Sequence, residues 1–310
     1  MTTKNNKYAL ITGASAGIGK SFALQLAAQG GNLILVARRK DALQTLASEI
    51  QSQYQVDCQI ISQDMAEADA SQNIFKHCQK LQLNVGMLIN NAGYGVPGDF
   101  EAVDWPTHSA MLQVMLNSVV ELTHLFYPLM QKAKYGRIIQ VASLAGITPS
   151  TAGHTLYGAV KSFLVKFGHA LHLEGKDHGV HVTALCPGFT YTEFHDVNGT
   201  RPMVSKLPKS LWMTADVVSA QGLKAVEKNQ VIRVGQKRST RYLLNSAVVD
   251  STAVHSINKA LDFAFLKGFD APRKTAILKQ LRDLWTHSST ALEGNTLSLG
   301  DTHFVLEEGL

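Results

Sequence analysis

Near its beginning the chain reads Tyr8-Ala9-Leu10-Ile11-Thr12-Gly13-Ala14-Ser15-Ala16-Gly17-Ile18-Gly19-Lys20, the stretch that decides the fold. Its first five residues form a largely apolar run, long enough for a buried strand and too short for a helix. Three glycines follow, then a helical pattern, then a second apolar strand at 33–37. This order of strand, glycine turn, helix and strand predicts a turn that a pyrophosphate can approach closely, at a helix N-terminus.

The end of the second strand indicates which dinucleotide would bind. A carboxylate there would accept a hydrogen bond from a ribose 2′-hydroxyl, whereas an arginine accommodates a 2′-phosphate. The chain has Ala37-Arg38-Arg39-Lys40 at this place. Asp41 follows in the first turn of the next helix, where the helix dipole alone accounts for an acid. Arg38 and Arg39 therefore favour NADP(H) over NAD(H).

A second group of residues lies in the middle of the chain, where Tyr157 and Lys161 are four residues apart and Ser143 precedes them. Positions i and i+4 share one face of a helix, so the phenol and the ammonium can face one cleft. A phenol ordinarily titrates near pH 10, and a cation held close favours the phenolate and lowers that pKa. With a hydroxyl to hold a substrate oxygen, the trio suits proton transfer to or from a carbonyl or alcohol oxygen.

Together these motifs resemble the short-chain dehydrogenase/reductase family, in its single-domain branch and among its NADP(H)-dependent members. The resemblance runs from about residue 6 to about residue 240, in the family's order and nearly its spacing. The matching residues are Thr12, Gly13, Gly17, Gly19, Asp64, Asn90-Asn91-Ala92-Gly93, Ser143, Tyr157, Lys161, Pro187-Gly188, Thr190 and Thr192.

The resemblance implies a role for each matching residue. Tyr157 would be the acid/base, Lys161 would hold the nicotinamide ribose and lower the tyrosine's pKa, and Ser143 would orient the substrate oxygen. Asp64 would meet the adenine, and Asn90 with the Ala92–Gly93 backbone would line the ribose. The cofactor-binding residues implied are Gly13, Ser15, Gly17, Ile18, Gly19, Arg38, Arg39, Asp64, Asn90, Ala92, Gly93, Tyr157, Lys161, Pro187, Gly188, Thr190 and Thr192.

One position departs from the family pattern. The family's fourth catalytic residue is an asparagine, thought to hold a helix kink and a water in the proton relay, and its place falls on Met115 here. Asn117 is two residues further, about 200° around a helix. Three interpretations stay open: the Met115 carbonyl holds the water, a helix bulge returns Asn117 to the site, or the relay is impaired.

Alternation of strands and helices predicts an α/β fold, a Rossmann-type doubly wound parallel sheet of about seven strands. Residues 1–245 are expected to form the NADP(H)-binding domain, and the resemblance implies a substrate loop at about 188–215 within it. Residues 246–310 are expected to form a C-terminal helical extension and an acidic tail. Strands are predicted near 7–12, 32–37, 57–62, 86–90, 136–142, 180–186 and 230–234.

Composition excludes several classes of protein. The 310 residues, 45% of them apolar, suit one large domain with or without an appendage. Residues 1–7 lack the apolar core of a signal peptide, and polar residues interrupt 109–130, the most membrane-like segment. The three cysteines lack metal spacing and predict free thiols in a reducing compartment, the cytoplasm. No cysteine or acid completes a ligand set with the histidines, so no metal site is predicted.

Charge is unevenly distributed, with nine Lys/Arg and two acids between Arg201 and Arg241. Such a segment can attract an anionic substrate or an acidic membrane surface, or it can be an ordinary solvated face. No nucleic-acid fold signature accompanies it, so nucleic acid is not an expected partner.

These observations predict a cytoplasmic NADPH-dependent oxidoreductase that transfers hydride between the nicotinamide and a carbonyl or secondary alcohol, with Tyr157 as acid/base. The substrate is expected to be a small, hydrophobic molecule. In the family the helix at 109–130 packs against a second subunit, which implies a homodimer or homotetramer. One alternative is an NADP(H)-binding sensor or scaffold with little catalysis, because of Met115. The other is a peripheral-membrane reductase of lipid-like ketones, because of the basic segment.

Overall fold

The computed structural model describes residues 7–148, 152–197, 199–201, 205, 209–235 and 242–245. Within these residues an eight-stranded sheet is flanked by helices on both faces, and a separate pair of short strands lies in the segment after the sixth strand. The strands are β1 (Tyr8–Thr12), β2 (Asn32–Ala37), β3 (Cys58–Ser62), β4 (Val85–Asn90), β5 (Gly136–Val141), β6 (Val180–Pro187), β7 (Thr190–Tyr191), β8 (Met213–Thr214), β9 (Gln230–Gly235) and β10 (Tyr242–Asn245).

Helices alternate with the strands of the main sheet. They are α1 (Gly17–Ala28), α2 (Lys40–Tyr54), α3 (Ala70–Lys80), α4 (Trp105–Leu112), α5 (Ser118–Lys132), α6 (Thr155–Gly175), α7 (Phe194–Val197) and α8 (Ala215–Glu227). A π-helical turn, Gln113–Asn117, joins α4 to α5 without a break. None of the described helices is long and apolar enough to cross a membrane.

The order of strands in the main sheet is β10-β9-β6-β5-β4-β1-β2-β3. All neighbours pair in parallel except β10, which runs antiparallel to β9 at the edge. The chain winds outward from β1 through β2 to β3 and then crosses back to β4 on the other side of β1. This reversal opens a crevice beyond the carboxyl ends of β1 and β4, the usual ligand position in such sheets.

Apolar side chains of the central strands alternate between two helical layers. In β1, Ile11 packs in the layer of α1, α2 and α8, whereas Leu10 packs in the layer of α3, α4, α5 and α6. Both residues are fully buried, as are Ile34 and Leu35 of β2. Because both faces are covered, the strands read as continuous apolar runs, which is why they could be located in the sequence.

The predicted Rossmann-type fold is confirmed, and all seven predicted strands are present within a residue or two of the expected bounds. The prediction missed three strands, the antiparallel edge strand β10 and the short pair β7–β8. Two-residue strands carry no periodic pattern, and an edge strand need not be apolar on both faces. The predicted helical extension and acidic tail at 246–310 lie outside the described residues, so that domain boundary stays a prediction.

Candidate active site

Bare backbone lines the crevice at the glycine turn between β1 and α1. Gly13 and Gly17 have φ angles of +66° and +54°, in the left-handed region that favours glycine. Gly19 is in α1, where a Cβ atom would lie 2.2 Å from the main-chain oxygen of Gly13. Ser15 and Ile18 complete the turn and are partly exposed. The three glycines keep the N-terminus of α1 accessible to a phosphate group.

Asn91 holds this turn against the end of β4, a role that the sequence analysis missed. Its side-chain nitrogen donates to the main-chain oxygens of Thr12, at 2.9 Å, and Gly13, at 3.2 Å. In return the Thr12 hydroxyl accepts from the main-chain nitrogens of Asn91 and Ala92, both at 3.0 Å. The only sequence signal for this contact was the second asparagine of the Asn-Asn pair after an apolar strand.

Residues after β6 cover the glycine turn from the other side. A Cβ atom on Gly17 would lie 3.1 Å from the Cβ and Cγ2 atoms of Thr192. The segment starts at Pro187, the last residue of β6, and the Thr190 hydroxyl donates to the Gly188 oxygen at 3.0 Å. The structure therefore brings the predicted Pro187–Thr192 segment over the predicted phosphate turn.

The two predicted arginines lie beside the turn, but each of them contacts a carboxylate. Arg39 donates to the Ser15 hydroxyl and, from Nη2, to Glu193 Oε2 at 3.2 Å. Arg38 Nη1 lies 3.8 Å from Asp64 Oδ2. In the sequence, the acid nearest to these arginines is Asp41, which follows them in the chain. The fold adds Asp64 and Glu193 from distant segments, so the local excess of positive charge is smaller than the sequence indicated.

Asn90, which was predicted to line the ribose, turns its side chain into the core, so that prediction is wrong for the side chain. The side chain is 2% exposed, and its nitrogen donates to Thr123 Oγ1 at 3.2 Å and to Gln140 Oε1 at 3.0 Å. These bonds join β4 to α5 and β5. Ala92 and Gly93, which follow, are partly exposed and exposed at the crevice, consistent with the positions predicted for them.

Ser143, Tyr157 and Lys161 come together at the carboxyl end of β5. Ser143 follows that strand, and its hydroxyl accepts from the Ala145 main-chain nitrogen at 3.1 Å. The same hydroxyl lies near the phenol of Tyr157 in the first turn of α6 and acts to lower its pKa. The Lys161 ammonium is buried one turn further along α6, with Nζ 5.6 Å from the centroid of the tyrosine ring. The predicted catalytic trio therefore shares one site.

Protonation of the trio differs from the sequence-based expectation. Burial raises the pKa of Tyr157 to about 12, and the Ser143 hydrogen bond acts against that rise. Burial lowers the pKa of Lys161 to about 8. The Lys161 ammonium donates to the Val141 oxygen at 2.7 Å and not to the phenol, and the net shift of the tyrosine pKa is upward. Desolvation of the phenolate is the largest cause of this rise.

Gly146 allows the loop that carries Ser143 to approach α6 closely. A Cβ atom at this position would lie 2.6 Å from the carbonyl carbon and oxygen of Lys161. The Ser162 hydroxyl also donates to the Gly146 oxygen at 2.8 Å. Sequence reasoning did not identify Gly146, since nothing local distinguishes it from a turn glycine.

The helix bulges where the family asparagine is replaced. Residues Gln113–Asn117 form the π-helical turn, and Met115 within it is 1% exposed. A Cβ atom on Gly93 would lie 3.4–3.5 Å from the Met115 side chain, so the thioether packs behind the crevice. Asn117 is exposed and its side-chain nitrogen donates to Gln113 Oε1 at 2.9 Å. The bulge is present, but it does not return Asn117 to the site, and that interpretation is wrong.

Aromatic side chains of the segment after β6 form a cover over Tyr157. The ring centroid of Phe194 in α7 lies 5.9 Å from that of Tyr157. Trp212 stacks on Tyr191 with centroids 4.8 Å apart and contacts Phe189 at 5.5 Å. Trp212 is 3% exposed, so it packs beneath Tyr191 and Phe189 and holds these rings in place.

Arg201, the first cation of the basic segment, ties this cover together. Its guanidinium donates to both carboxylate oxygens of Asp196, at 2.7 and 2.8 Å, and to the Thr192 main-chain oxygen. Other cations of that segment, at 206, 237, 238 and 241, lie outside the described residues. Among the described residues no three His, Cys, Asp or Glu side chains are grouped closely enough to hold a metal ion.

Comparison with known proteins agrees with this geometry. A profile of the family described as short chain dehydrogenase matches residues 7–201. The very-long-chain 3-oxoacyl-CoA reductase of Anas platyrhynchos is 34% identical over 198 residues, which are 62% of this chain and 62% of that protein. The 17-beta-hydroxysteroid dehydrogenase type 3 of Mus musculus is 30% identical over 223 residues, covering 71% of this chain and 69% of that protein. The match thus spans less than two thirds of the reductase's length.

A solved structure shows the same fold. The short-chain dehydrogenase from Sphingobium yanoikuyae in complex with NADPH superposes with a TM-score of 0.69 at 24% sequence identity. The superposition covers 86% of this chain and 97% of that chain.

Proposed function

Because the chain belongs to the short-chain dehydrogenase family, we propose that it is an NADPH-dependent oxidoreductase acting on a carbonyl or secondary alcohol. One observation carries the proposal: the Ser143 hydroxyl, the Tyr157 phenol and the Lys161 ammonium share one site at the carboxyl end of β5. An intact trio favours catalysis over a role as a cofactor sensor. The cofactor would supply the hydride, and the side chains would handle the proton.

The crevice fits a phosphorylated dinucleotide. The glycine turn would receive the diphosphate at the N-terminus of α1, since a Cβ atom on Gly19 would fill the space that the backbone needs. Arg38 and Arg39 would face a 2′-phosphate, and Asp64 stands beside them. Gly93, with Met115 packed behind it, would line the ribose. The relatives solved with NADPH or NADP, from Sphingobium yanoikuyae and Burkholderia cenocepacia, support this choice of cofactor.

Tyr157 is suited to give a proton to a carbonyl oxygen. Burial keeps its phenol neutral at physiological pH, because the pKa is raised to about 12. A neutral phenol and the Ser143 hydroxyl can both donate to an oxygen on which negative charge develops. Lys161, one turn away, then stabilises the phenolate that remains.

Large apolar ketones are the substrate class that the cover supports. Phe194 lies against the catalytic ring, and Tyr191 stacks on Trp212 behind it. An aromatic wall beside the reacting oxygen binds apolar groups of a substrate through buried area. The named substrates of the relatives, very-long-chain 3-oxoacyl-CoA and 17-beta-hydroxysteroids, are of this kind.

We also propose a homo-oligomer in a reducing compartment such as the cytoplasm. A groove of about 590 Å³ runs along α5 and α6 and is lined by Leu116, Val120 and Phe163 among others. Phe163 is 37% exposed and stacks on Phe167 at 5.4 Å, so an apolar surface is available to a second copy. Cys58, Cys78 and Cys186 are buried free thiols, which are typical of reducing surroundings.

Substitution of the catalytic phenol tests the proposal. Tyr157→Phe should reduce NADPH-dependent turnover of steroid and long-chain ketones by more than a hundredfold, since general acid catalysis contributes about 10²–10⁴ in rate. Affinity for NADPH, followed by fluorescence, should stay within about threefold, because the ring is retained. Tyr54→Phe, at the end of α2, is the matched control and should behave as the unsubstituted protein. Wild-type turnover by Tyr157→Phe would refute the mechanism.

A further inference from the structure

Arg39 bridges two parts of the crevice that are far apart in the sequence. Its Nε and Nη2 atoms donate to Ser15 Oγ at 3.4 and 3.2 Å. Its Nη2 atom also donates to Glu193 Oε2 at 3.2 Å, across 154 positions of the chain. The Nη2 atom of the guanidinium therefore donates both to the glycine turn and to the segment that covers the site.

Glu193 occupies the position that an anion bound by Arg39 would take. The Arg39 and Glu193 side chains are 55% and 59% exposed, so solvent weakens their ion pair and another anion can replace the carboxylate. Arg38 also has a carboxylate nearby, because Asp64 lies 3.8 Å from it. A phosphate on Arg39 would therefore meet a carboxylate of like charge at its side.

We propose that Glu193 sets the cofactor preference by competing with the 2′-phosphate of NADP(H) for Arg39. This inference rests on the proposed function, since it requires the dinucleotide to lie along the glycine turn. The competition from Glu193 makes the chain less selective for NADP(H) over NAD(H) than Arg38 and Arg39 alone would. NAD(H) has no 2′-phosphate and leaves the ion pair in place.

The same exchange links the cofactor to the cover of the active site. Glu193 stands between Thr192, which packs on Gly17, and Phe194, whose ring lies 5.9 Å from that of Tyr157. When a phosphate binds Arg39, Glu193 loses the contact that ties this segment to the start of α2. The phosphorylated cofactor thereby releases the residue next to the aromatic cover, and the non-phosphorylated cofactor does not.

Direct binding measurements test the proposal on the full chain. NADPH and NADH are titrated by fluorescence against the wild type and Glu193→Gln at low ionic strength. Glu193→Gln should bind NADPH about five- to tenfold more tightly, because a repulsion between like charges about 4 Å apart is removed. Its affinity for NADH should change less than about twofold. In about 1 M salt, where the Debye length is about 3 Å, most of the gain should disappear.

Two further variants separate a local effect from a general change of charge. Glu227→Gln removes a carboxylate of similar exposure, 54%, from an ion pair of 3.4 Å with Arg137 and should leave both affinities unchanged. In an Arg39→Ala background, Glu193→Gln should bring no gain for NADPH, because the shared cation is gone.

The outcomes are distinct. Unchanged or weaker NADPH binding by Glu193→Gln, in a protein whose wild type binds NADPH, overturns the role of Glu193 and leaves the proposed function standing. An equal gain from Glu227→Gln overturns it as well, since the effect would then be one of net charge. If the wild type binds neither cofactor, the proposed function fails and the inference fails with it.

Discussion

The ammonium of Lys161 donates to the main-chain oxygen of Val141, the last residue of β5, at 2.7 Å. This bond fixes the lysine to the strand whose end also places Ser143, so the sheet and not the tyrosine sets the position of the cation. Lys161 is 5% exposed, and burial lowers the pKa of its ammonium to about 8. Its charge therefore changes within the range of pH in which an enzyme is assayed.

We expect ketone reduction to weaken above about pH 8. Lys161 loses its proton there, and the phenolate left on Tyr157 after proton donation then lacks its stabilising cation. Tyr157 itself stays protonated in this range, because its pKa is about 12. The measurement is kcat/KM for a ketone with NADPH between pH 6 and 10. A profile that is level up to pH 10 would contradict this assignment.

Stability should change with pH through the same lysine. The folded-state pKa of about 8 lies below the ordinary value of 10.5, so above pH 8 the folded chain releases a proton that the unfolded chain still holds. The free energy of unfolding of the wild type should therefore rise by about 2 kcal/mol from pH 7 to pH 9.5, relative to Lys161→Met. Denaturant unfolding of both proteins at the two pH values measures this difference, and a constant difference would refute the prediction.

Asn117 should be dispensable for turnover. Its side chain is exposed and bound to Gln113, so Asn117→Ala should keep kcat/KM within about twofold. Met115→Ala should instead lower the free energy of unfolding by about 2–5 kcal/mol, because it leaves a cavity behind Gly93. Met115→Leu is the control that conserves volume and should cost less than about 1.5 kcal/mol. Loss of turnover in a folded Asn117→Ala protein would show that this amide reaches the proton relay.

Substitution of Gly19 should remove dinucleotide binding. A Cβ atom there would lie 2.2 Å from the Gly13 oxygen and 2.6 Å from Asn91 Nδ2, so Gly19→Ala must displace the turn. We expect the affinity for NADPH to fall by more than about tenfold, since the phosphate site is main chain. Gly168→Ala in α6 is the matched control, because its Cβ would meet only ordinary contacts of 3.6–3.7 Å. Equal NADPH affinities for the two variants would argue against a cofactor at this turn.

His172 should make the protein sensitive to acid. It is fully buried in α6, and burial lowers its pKa to about 4, below the ordinary 6.5. As the pH falls from 6.5 towards 4, His172 binds a proton in the unfolded chain but not in the folded chain. This residue should therefore remove up to about 3 kcal/mol of unfolding free energy over that range. His172→Asn, which keeps an acceptor for the Val182 main-chain nitrogen, should reduce this acid dependence, and an unchanged dependence would contradict the prediction.

Local features allowed the fold and the core of the site to be predicted. Strands buried on both faces must be continuously apolar, and backbone in the left-handed region, as at Gly13 and Gly17, favours glycine. Both features can therefore be recognised from a short stretch of sequence. The i, i+4 spacing likewise placed Tyr157 and Lys161 on one helix. The two-residue strands and the antiparallel edge strand β10 have no such local pattern, so the sequence did not predict them.

The sequence by itself determined the doubly wound sheet, the glycine turn and the choice of Ser143, Tyr157 and Lys161 as candidate catalytic residues, because each depends on residue types at short, regular spacing. Only the tertiary structure decided which charges and contacts surround them. It brought Glu193 to Arg39 across 154 positions and turned the Asn90 side chain into the core. It also raised the pKa of Tyr157, which a neighbouring cation alone would lower. Burial and long-range contacts arise only when distant segments pack, and no local pattern records them.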